Sequence, residues 1–168
     1  MKPEAVPGKL RKMELTEFDQ MTELMEVAFA EDAAREGRSL RDDVAGLKSM
    51  LPVLRVLTKV WPSFEDKFYT LVWDTGDRFA AVITISQQGN DRQRWYIFNV
   101  ATHPDFRGRG LARQLVTAAL DHIRAHGGQR VLLDVRADNV PAYQLYRSLG
   151  FLGSVPVTAP WAKQRLAE

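Results

Sequence analysis

The chain has 168 residues, a formal net charge of +2 and no cysteine. A chain of this length suits one domain that buries roughly 70% of its unfolded surface, so it needs no disulfide or metal to hold a core. The absence of cysteine excludes disulfides, thiolate metal sites and a covalent cysteine nucleophile.

Charge and histidine content argue against two further kinds of site. Acidic and basic residues are well mixed, and so small a net charge does not favour nucleic acid or an acidic membrane as a partner. His122 and His126 are four residues apart and could share a helix face. No third ligand accompanies them, so we expect no metal site.

The sequence predicts neither a membrane span nor a signal peptide. The longest apolar runs fall far short of the roughly 20 residues that a span requires. Residues 1–8 lack the apolar core of a signal peptide and are expected to form a flexible leader. We therefore expect one soluble domain over residues 1–168, in the cytoplasm, whose reducing conditions suit a cysteine-free protein.

The first third of the chain is predicted to contain one short strand and two helical segments. Residues 9–13 are expected to form the strand. Thr16 is predicted to cap the first helix, with Asp19 in the capping-box position, and apolar residues recur at helical spacing over 21–29. A second helical segment is predicted over 39–59.

The middle of the chain changes to strand periodicity. Segments 69–73, 78–87 and 94–101 are rich in β-branched and aromatic residues and are separated by glycine-containing turns. This pattern predicts three antiparallel strands joined by tight connections.

The last part of the chain alternates helices and strands. Residues 110–126 form an amphipathic pattern that predicts a long helix. Residues 131–135 predict a short strand buried in a parallel arrangement. A final helix ending at Gly150 and a strand over 151–157 follow. The order of elements predicts an α/β domain with a mixed sheet.

A glycine-rich segment, Arg-Gly-Arg-Gly-Leu-Ala at residues 107–112, leads from the third of these strands into the long helix. A helix start has unpaired backbone N–H groups and a partial positive charge, which makes it a natural anion site. Glycine lets a phosphate approach the backbone closely. A glycine-rich turn with no ligand is the alternative.

Two common phosphate loops do not fit this segment. A Walker loop requires Gly-Lys-Ser/Thr, and neither lysine nor Ser/Thr follows Gly110 in that way. A dinucleotide fingerprint requires a third small residue where this chain has Arg113.

Two sequence blocks carry a family resemblance. Arg107-x-x-Gly110-x-Ala112 matches an Arg/Gln-x-x-Gly-x-Gly/Ala signature, and the stretch from Asn139 to Phe151 matches Asn-x-x-Ala-x-x-Leu-Tyr-x-x-x-Gly-Phe. In this order and spacing the blocks resemble the GNAT N-acetyltransferases over about residues 78–151. The resemblance implies a GNAT-like α/β fold, a mixed and mostly antiparallel sheet flanked by helices.

The resemblance also implies acetyl-CoA as the acyl donor and a primary amine as the acceptor. The backbone amides of 108–113 would cradle the CoA pyrophosphate, and the main chain of 100–102 would pair with the pantetheine arm as an added strand would. Asn139 would bond the cofactor arm, and Tyr146 would stand beside the thioester sulfur. The cofactor-binding residues implied are Val100, Ala101, Thr102, Arg107, Gly108, Arg109, Gly110, Leu111, Ala112, Arg113, Asn139 and Tyr146.

Acetyl transfer to an amine requires three kinds of assistance. The amine must be neutral to attack, and the oxyanion needs a donor such as the N–H of Val100 or Ala101. The departing thiolate benefits from a proton, for which Tyr146 is the predicted donor. Spacing alone favours Tyr146 as a core aromatic, and a helix N-cap is the alternative role for Asn139.

The sequence indicates the general base less directly than it indicates the proton donor. Many members of the family use a glutamate on the strand before the loop, and residues 94–99 contain no carboxylate. Residues 133–139 resemble the Leu-Glu-Val-Arg-x-x-Asn stretch of ribosomal-protein alanine N-acetyltransferases, in which the acid is a proposed base. Asp134 occupies that place. A structural hydrogen bond for Asp134 and a water relay without a single base are the alternatives.

Three kinds of acceptor are compatible with the sequence: a small-molecule amine, a peptide N-terminus and a lysine. Glu31 and Asp32 could draw a cationic amine or form a solvated acidic turn. Only 17 residues follow Phe151, with Pro156 and Pro160 among them. We therefore expect an incomplete final strand pair, with the last strand short, irregular or supplied by a partner in a homodimer.

Two other classes of function compete with the enzyme. A catalytically idle acyl-CoA-binding or sensing domain would suit a strand without the usual glutamate, although Asn139 and Tyr146 argue against it. RNA binding through Arg107, Arg109 and Arg113 would require aromatic residues interleaved with the arginines, which the sequence lacks. N-acetyl transfer is therefore the favoured interpretation.

Overall fold

The structure is a computed structural model that describes residues 5–37, 68–89, 91–154 and 163–167. Its strands are β1 (Lys9–Lys12), β2 (Phe68–Asp74), β3 (Phe79–Gln87), β4 (Arg94–Thr102), β5 (Arg130–Arg136), β6 (Leu152–Ser154) and β7 (Lys163–Ala167). Its helices are α1 (Phe18–Ala28), α2 (Ala30–Glu36), α3 (Leu111–Ala125) and α4 (Val140–Ser148).

The seven strands form one sheet in the order β1-β2-β3-β4-β5-β7-β6. Only β4 and β5 pair in parallel, and every other neighbouring pair is antiparallel. The parallel pair is the one joined through a helix, α3, because two parallel strands need a long crossover. The predicted mixed, mostly antiparallel sheet is confirmed.

Helices cover both faces of this sheet. On one face, α3 buries Leu111, Leu115, Ala119 and Ile123, the side chains that recur every fourth residue. Each large apolar side chain buried in this way stabilises the fold by about 2 kcal/mol relative to an exposed one. On the opposite face, α1 packs on a second apolar cluster, whose members are Phe18, Met21, Leu24, Ala28, Val72, Phe79, Val82 and Ala101.

The start of α1 differs from the prediction. Thr16 does not cap the helix, because residues 15–17 form a 3-10 turn and α1 begins at Phe18. Instead, the Glu14 backbone N–H donates to Glu17 Oε2 at 2.8 Å. The carboxylate of Glu17 is also held by Arg11, which favours this arrangement over a threonine cap. Helix α2 was not predicted, and the segment expected to be helical over 39–59 lies outside the described residues.

The expectation of an incomplete final strand pair is wrong. Strand β7 lies between β5 and β6 and pairs antiparallel with both. Pro156 and Pro160 lie outside the described residues. The sheet therefore receives its last strand from its own chain, and the reason given for a homodimer disappears.

No helix in the described part of the chain is both long enough and apolar enough to cross a membrane. The predicted helices and strands outside the N-terminal region agree with the structure to within one or two residues at the ends that are described. They agree because each has a strong periodic pattern, which tertiary contacts reinforce.

Candidate functional site

The parallel strands β4 and β5 separate halfway along their length. Their register runs from Arg94 opposite Arg130 to Ile97 opposite Leu133. Beyond these residues β4 continues beside β3, whereas β5 continues beside β7. We call the resulting opening the fork; it lies between residues 98–102 of β4 and 134–136 of β5. Residues 98–102 thus have one strand edge that faces the fork.

A β-bulge in β4 directly follows the last paired positions. Val82 lies opposite Ala101 and Thr84 lies opposite Phe98, so two residues of β4 face one residue of β3. One of the two is Asn99, whose φ of +53° lies in the left-handed region that asparagine tolerates better than most residues. A bulge bends its strand, which accounts for the divergence of β4 from β5.

The glycine-rich loop delivers the chain from β4 to the start of α3. Gly108 and Gly110 have φ values of +75° and +78°, and Gly110 is the N-cap of α3. Gly110 lacks a side chain and cannot cap the amides of residues 111–113 itself. Amides left without a side-chain cap and the helix dipole together favour an anion at such a position.

The arginine side chains of this loop bind the protein itself. Arg107 Nη2 donates to the carbonyl of Ala28 at 2.8 Å, at the C-terminal end of α1. Arg113 Nη2 donates to Ser148 Oγ at 2.7 Å, which ties α3 to α4. The guanidinium of Arg109 lies 5.8 Å from the ring centroid of Phe106. The loop is therefore anchored on both sides by side chains.

Asn139 begins α4 on the other side of the fork. Its Oδ1 accepts from the Ala142 backbone N–H at 3.2 Å, so it serves as the helix N-cap. The preceding turn is held by Arg136, whose Nη2 donates to Asp138 at 2.7 Å, and Arg35 of α2 lies 3.7 Å from the same carboxylate. The Arg136 guanidinium lowers the pKa of Asp138 below its usual range.

Tyr146 of α4 lies in the core on the α3 side of the sheet. Its residue is 5% exposed, and its ring meets Phe151 edge-on with 5.8 Å between centroids. Burial raises the pKa of Tyr146 to about 12. The phenol is therefore neutral at physiological pH and keeps its proton.

Asp134 lies on the opposite face of the sheet. Val131, Leu133 and Val135 are buried beneath α3, and side chains alternate along a strand, so Asp134 points toward the side of α1. Tyr96 Oη donates to Asp134 Oδ2 at 2.6 Å. Tyr146 and Asp134 thus lie on opposite faces of the sheet.

Sequence reasoning missed Tyr96. The available signal was the alternation of β4, in which Trp95 and Ile97 are buried with α3 while Tyr96 and Phe98 point to the other face. The contact to Asp134 spans 38 positions in the chain and has no local signature.

Glu31 and Asp32, for which attraction of a cationic amine and a solvated acidic turn were the two alternatives, lie in the first turn of α2. Acids at this position stabilise a helix through its dipole. Asp32 also lies 3.9 Å from Arg35 one turn later, and the two form an i,i+3 ion pair at the helix surface. Their placement fits the alternative of solvated helix-start acids.

Comparison with known families gives a match over most of the chain. Residues 49–151 match the family model described as the acetyltransferase (GNAT) family. The mycothiol acetyltransferase of Corynebacterium glutamicum (strain R) is 36% identical over 88 residues, which are 52% of this chain and 29% of that protein. The ribosomal protein bS18-alanine N-acetyltransferase of Salmonella typhimurium is 38% identical over 86 residues, 51% of this chain and 56% of that protein. The matches thus span less than two thirds of these relatives.

Solved structures resemble the whole fold. The PaiA N-acetyltransferase of Thermoplasma acidophilum in complex with coenzyme A has a TM-score of 0.73 at 12% identity, with 95% of this chain and 97% of that chain covered. Ard1 of Thermoplasma volcanium has a TM-score of 0.68 at 18% identity, with 97% of each chain covered. At these identities the likeness concerns the fold alone. The resemblance noted in the sequence is confirmed by the family match over residues 49–151, and the chain belongs to the acetyltransferase (GNAT) family.

Proposed function

We propose that the chain is an acetyl-CoA-dependent N-acetyltransferase in which a primary amine attacks the thioester directly. One observation carries the proposal: a fork in the sheet opens beside an uncapped helix start, with an acid candidate on one face and a base candidate on the other. Membership of the family and the names of the relatives support it.

The acyl donor would be held by backbone groups. The amides of 108–113 would receive the pyrophosphate, and the fork-facing edge of residues 100–102 would pair with the pantetheine arm. Asn139 uses its Oδ1 as a cap, so its Nδ2 is the group proposed to bond the arm. Arg107 is proposed to act by fixing the loop to α1, since its guanidinium binds a carbonyl there.

The reaction makes a C–N bond and breaks the C–S bond of the thioester. The ammonium form of the acceptor first loses one proton, for which Asp134 is the proposed base. The amine lone pair then adds to the carbonyl carbon, and a backbone N–H of Val100 or Ala101 is proposed to stabilise the oxyanion. As the intermediate collapses, the nitrogen loses a second proton and the thiolate gains one, so one proton is released to solvent overall.

The raised pKa of Tyr146 limits how it assists the leaving group. A thiol has a pKa near 8.5, so complete proton transfer from a phenol of pKa about 12 to the thiolate is uphill by about 5 kcal/mol. Tyr146 is therefore proposed to stabilise the departing sulfur chiefly by donating a hydrogen bond. This role needs only the neutral phenol, which burial maintains.

The acceptor is proposed to be a primary amine of a small molecule, a peptide N-terminus or a lysine. The names of the two relatives point to different acceptors: one is a mycothiol acetyltransferase, and the other is an N-acetyltransferase for an alanine of ribosomal protein bS18. The choice among acceptors is therefore left to experiment. A cytoplasmic location is supported by the cysteine-free sequence.

Two measurements test the proposal together. Acetyl-CoA at 100 times its Kd should stabilise the fold by about 2.7 kcal/mol, which raises Tm by roughly 5–10 °C. Pantetheine, which lacks the pyrophosphate, is the control and should give a much smaller shift. Mass spectrometry of amines and peptides incubated with acetyl-CoA should then reveal acetylated products.

The outcomes separate the competing functions. Stabilisation by acetyl-CoA with no product from any acceptor would favour the idle acyl-CoA-binding domain. No stabilisation at all would overturn the proposed cofactor site.

A further inference from the structure

A side-chain hydrogen bond crosses the closed end of the fork. Tyr96 pairs with Leu132 in the last part of the parallel register, and Asp134 is the first residue of β5 beyond it. The bond from Tyr96 Oη to Asp134 Oδ2 measures 2.6 Å, the length of a charge-assisted O–H···O⁻ bond. It therefore joins the two strands at the point where their backbone pairing ends.

The ring of Tyr96 is held in place by its neighbours on the α1 face. Tyr96 and Phe98 are stacked with 6.2 Å between ring centroids, and Phe68 meets Phe98 edge-on at 6.4 Å. Ser86 lies directly opposite Tyr96 on β3 and is buried. These packing contacts thus direct the Tyr96 hydroxyl across the fork.

We infer that Tyr96 is a positioning residue for acetyl transfer, which orients the carboxylate of Asp134 toward the amine that enters the fork. The inference rests on the proposed function. An aspartate is one methylene shorter than the glutamate found in related sequences at this place, so its carboxylate has less reach. A base must come within about 2.6–3.2 Å of the proton it removes, and fixing its orientation supplies that geometry.

The hydrogen bonds and proton transfers at Asp134 are compatible with this role. A carboxylate has about four lone-pair sites, and the bond from Tyr96 uses one of them. The ammonium proton passes to Asp134 and then to solvent, while Tyr96 keeps its own proton and donates throughout. Tyr96 touches the base and acts through it.

A purely structural clasp between β4 and β5 is the competing explanation. A double-mutant cycle tests whether Tyr96 acts through Asp134, and the Kd of acetyl-CoA separates positioning from a clasp. The variants are Tyr96→Phe, Asp134→Asn and their combination, with Tyr69→Phe as the control. Tyr69 is a half-buried tyrosine whose ring stacks on His122 on the α3 face, so its change deletes a hydroxyl away from Asp134. The acceptor is a peptide α-amine at pH 8, about half neutral, so turnover stays measurable without a base.

The expected result is a non-additive loss of kcat. Tyr96→Phe should lower kcat roughly tenfold to a hundredfold, with the Kd of acetyl-CoA unchanged. In the Asp134→Asn background the same change should lower kcat by no more than about twofold. Tyr69→Phe should leave kcat unchanged.

Each contrary outcome has one meaning. Additive losses in the double variant, an unchanged kcat in Tyr96→Phe, or a loss of kcat matched by weaker acetyl-CoA binding would overturn the positioning role while the proposed function stands. If the wild-type protein acetylates no acceptor, the proposed function and this inference fail together.

Discussion

At the scale of single residues, environment separates the two tyrosines of α4. Tyr146 is buried against Phe151, whereas Tyr143 is only partly buried at the same core and precedes it by three residues. Both would look equivalent on a helical wheel that includes Ala142 and Leu149. Burial raises the pKa of Tyr146 to about 12, so the phenol keeps its proton at physiological pH.

Tyr146→Phe should lower kcat by roughly a hundredfold, because it removes the hydroxyl proposed to stabilise the departing sulfur and keeps the ring that packs on Phe151. The Kd of acetyl-CoA should change little. The check is steady-state kinetics with one acceptor, combined with calorimetric titration of acetyl-CoA. Tyr143→Phe is the matched control and should retain wild-type kcat. An unaltered kcat in Tyr146→Phe would remove this residue from the mechanism.

At the scale of elements, the start of α3 depends on backbone conformation. Gly110 and Gly127 flank this helix at its two ends and have nearly equal φ values, +78° and +77°. In the described structure, a Cβ added at either position would meet open space, so the cost of a side chain there is conformational. The two glycines therefore place the same conformational requirement on stability, but only Gly110 lies at the proposed anion site.

Gly110→Ala and Gly127→Ala should each lower the free energy of unfolding by about 1–2 kcal/mol, because an L-residue is strained in the left-handed region. Only Gly110→Ala should also weaken acetyl-CoA binding, by roughly tenfold or more, because it disturbs the amides at the helix start. Urea denaturation and calorimetry measure the two effects. Equal acetyl-CoA affinities in the two variants would argue against a phosphate site at this end of α3.

The bulge in β4 is the second element on which the site depends. Asn99 is the one non-glycine residue with positive φ among the described residues, and it lies where β4 leaves β5. The sequence sign of this bend is an asparagine within the otherwise apolar and aromatic stretch 95–101. Without the bend, β4 and β5 would continue to pair, and residues 100–102 would have no edge to offer a ligand.

At the scale of the whole molecule, Arg11 joins the edge of the sheet to the start of α1. Its Nε donates to Asp74 at 2.8 Å and its Nη1 donates to Glu17 at 2.7 Å. Its hydrogen bonds lower the pKa of Glu17, and the Gly76 N–H, followed by Arg11, lowers that of Asp74. All three charged side chains are at most one quarter exposed, so solvent screens them only in part.

Because both carboxyl pKa values are lower in the folded protein, the stability they contribute is complete above their unfolded values, 4.5 for Glu17 and 3.8 for Asp74. It is lost as the pH falls through the folded values. The free energy of unfolding should therefore decline below about pH 4.5. Arg11→Gln should lower it by about 1–2 kcal/mol at pH 7 and make the acid decline shallower.

Urea unfolding between pH 3 and 7 checks this expectation. Arg94→Gln is the control, because its pair with Asp91 is 3.8 Å long and nearly half exposed on both sides, and it should leave the profile unchanged. An acid decline in Arg11→Gln as steep as that of the wild type would show that Arg11 does not couple these carboxylates to folding.

The amino-acid sequence by itself determined the periodic elements, the glycine-rich helix start and the family. These features depend on residues close together in the chain: every-fourth-residue burial in α3, alternation in β5, and glycines whose conformation few other residues adopt. Asp134 was identified in the same way, from its neighbours in one short segment.

Only the tertiary structure decided the partner of Asp134, the capping of α1 and the completion of the sheet. Tyr96 meets Asp134 because two strands 38 positions apart lie side by side, and β7 lies between β5 and β6, where it covers the edge of β5 opposite β4. Glu17, not Thr16, is the N-cap residue of α1, and Arg11 on another element binds its carboxylate. Each outcome depends on an interaction between elements, and interactions of this kind leave no pattern in a local stretch of sequence.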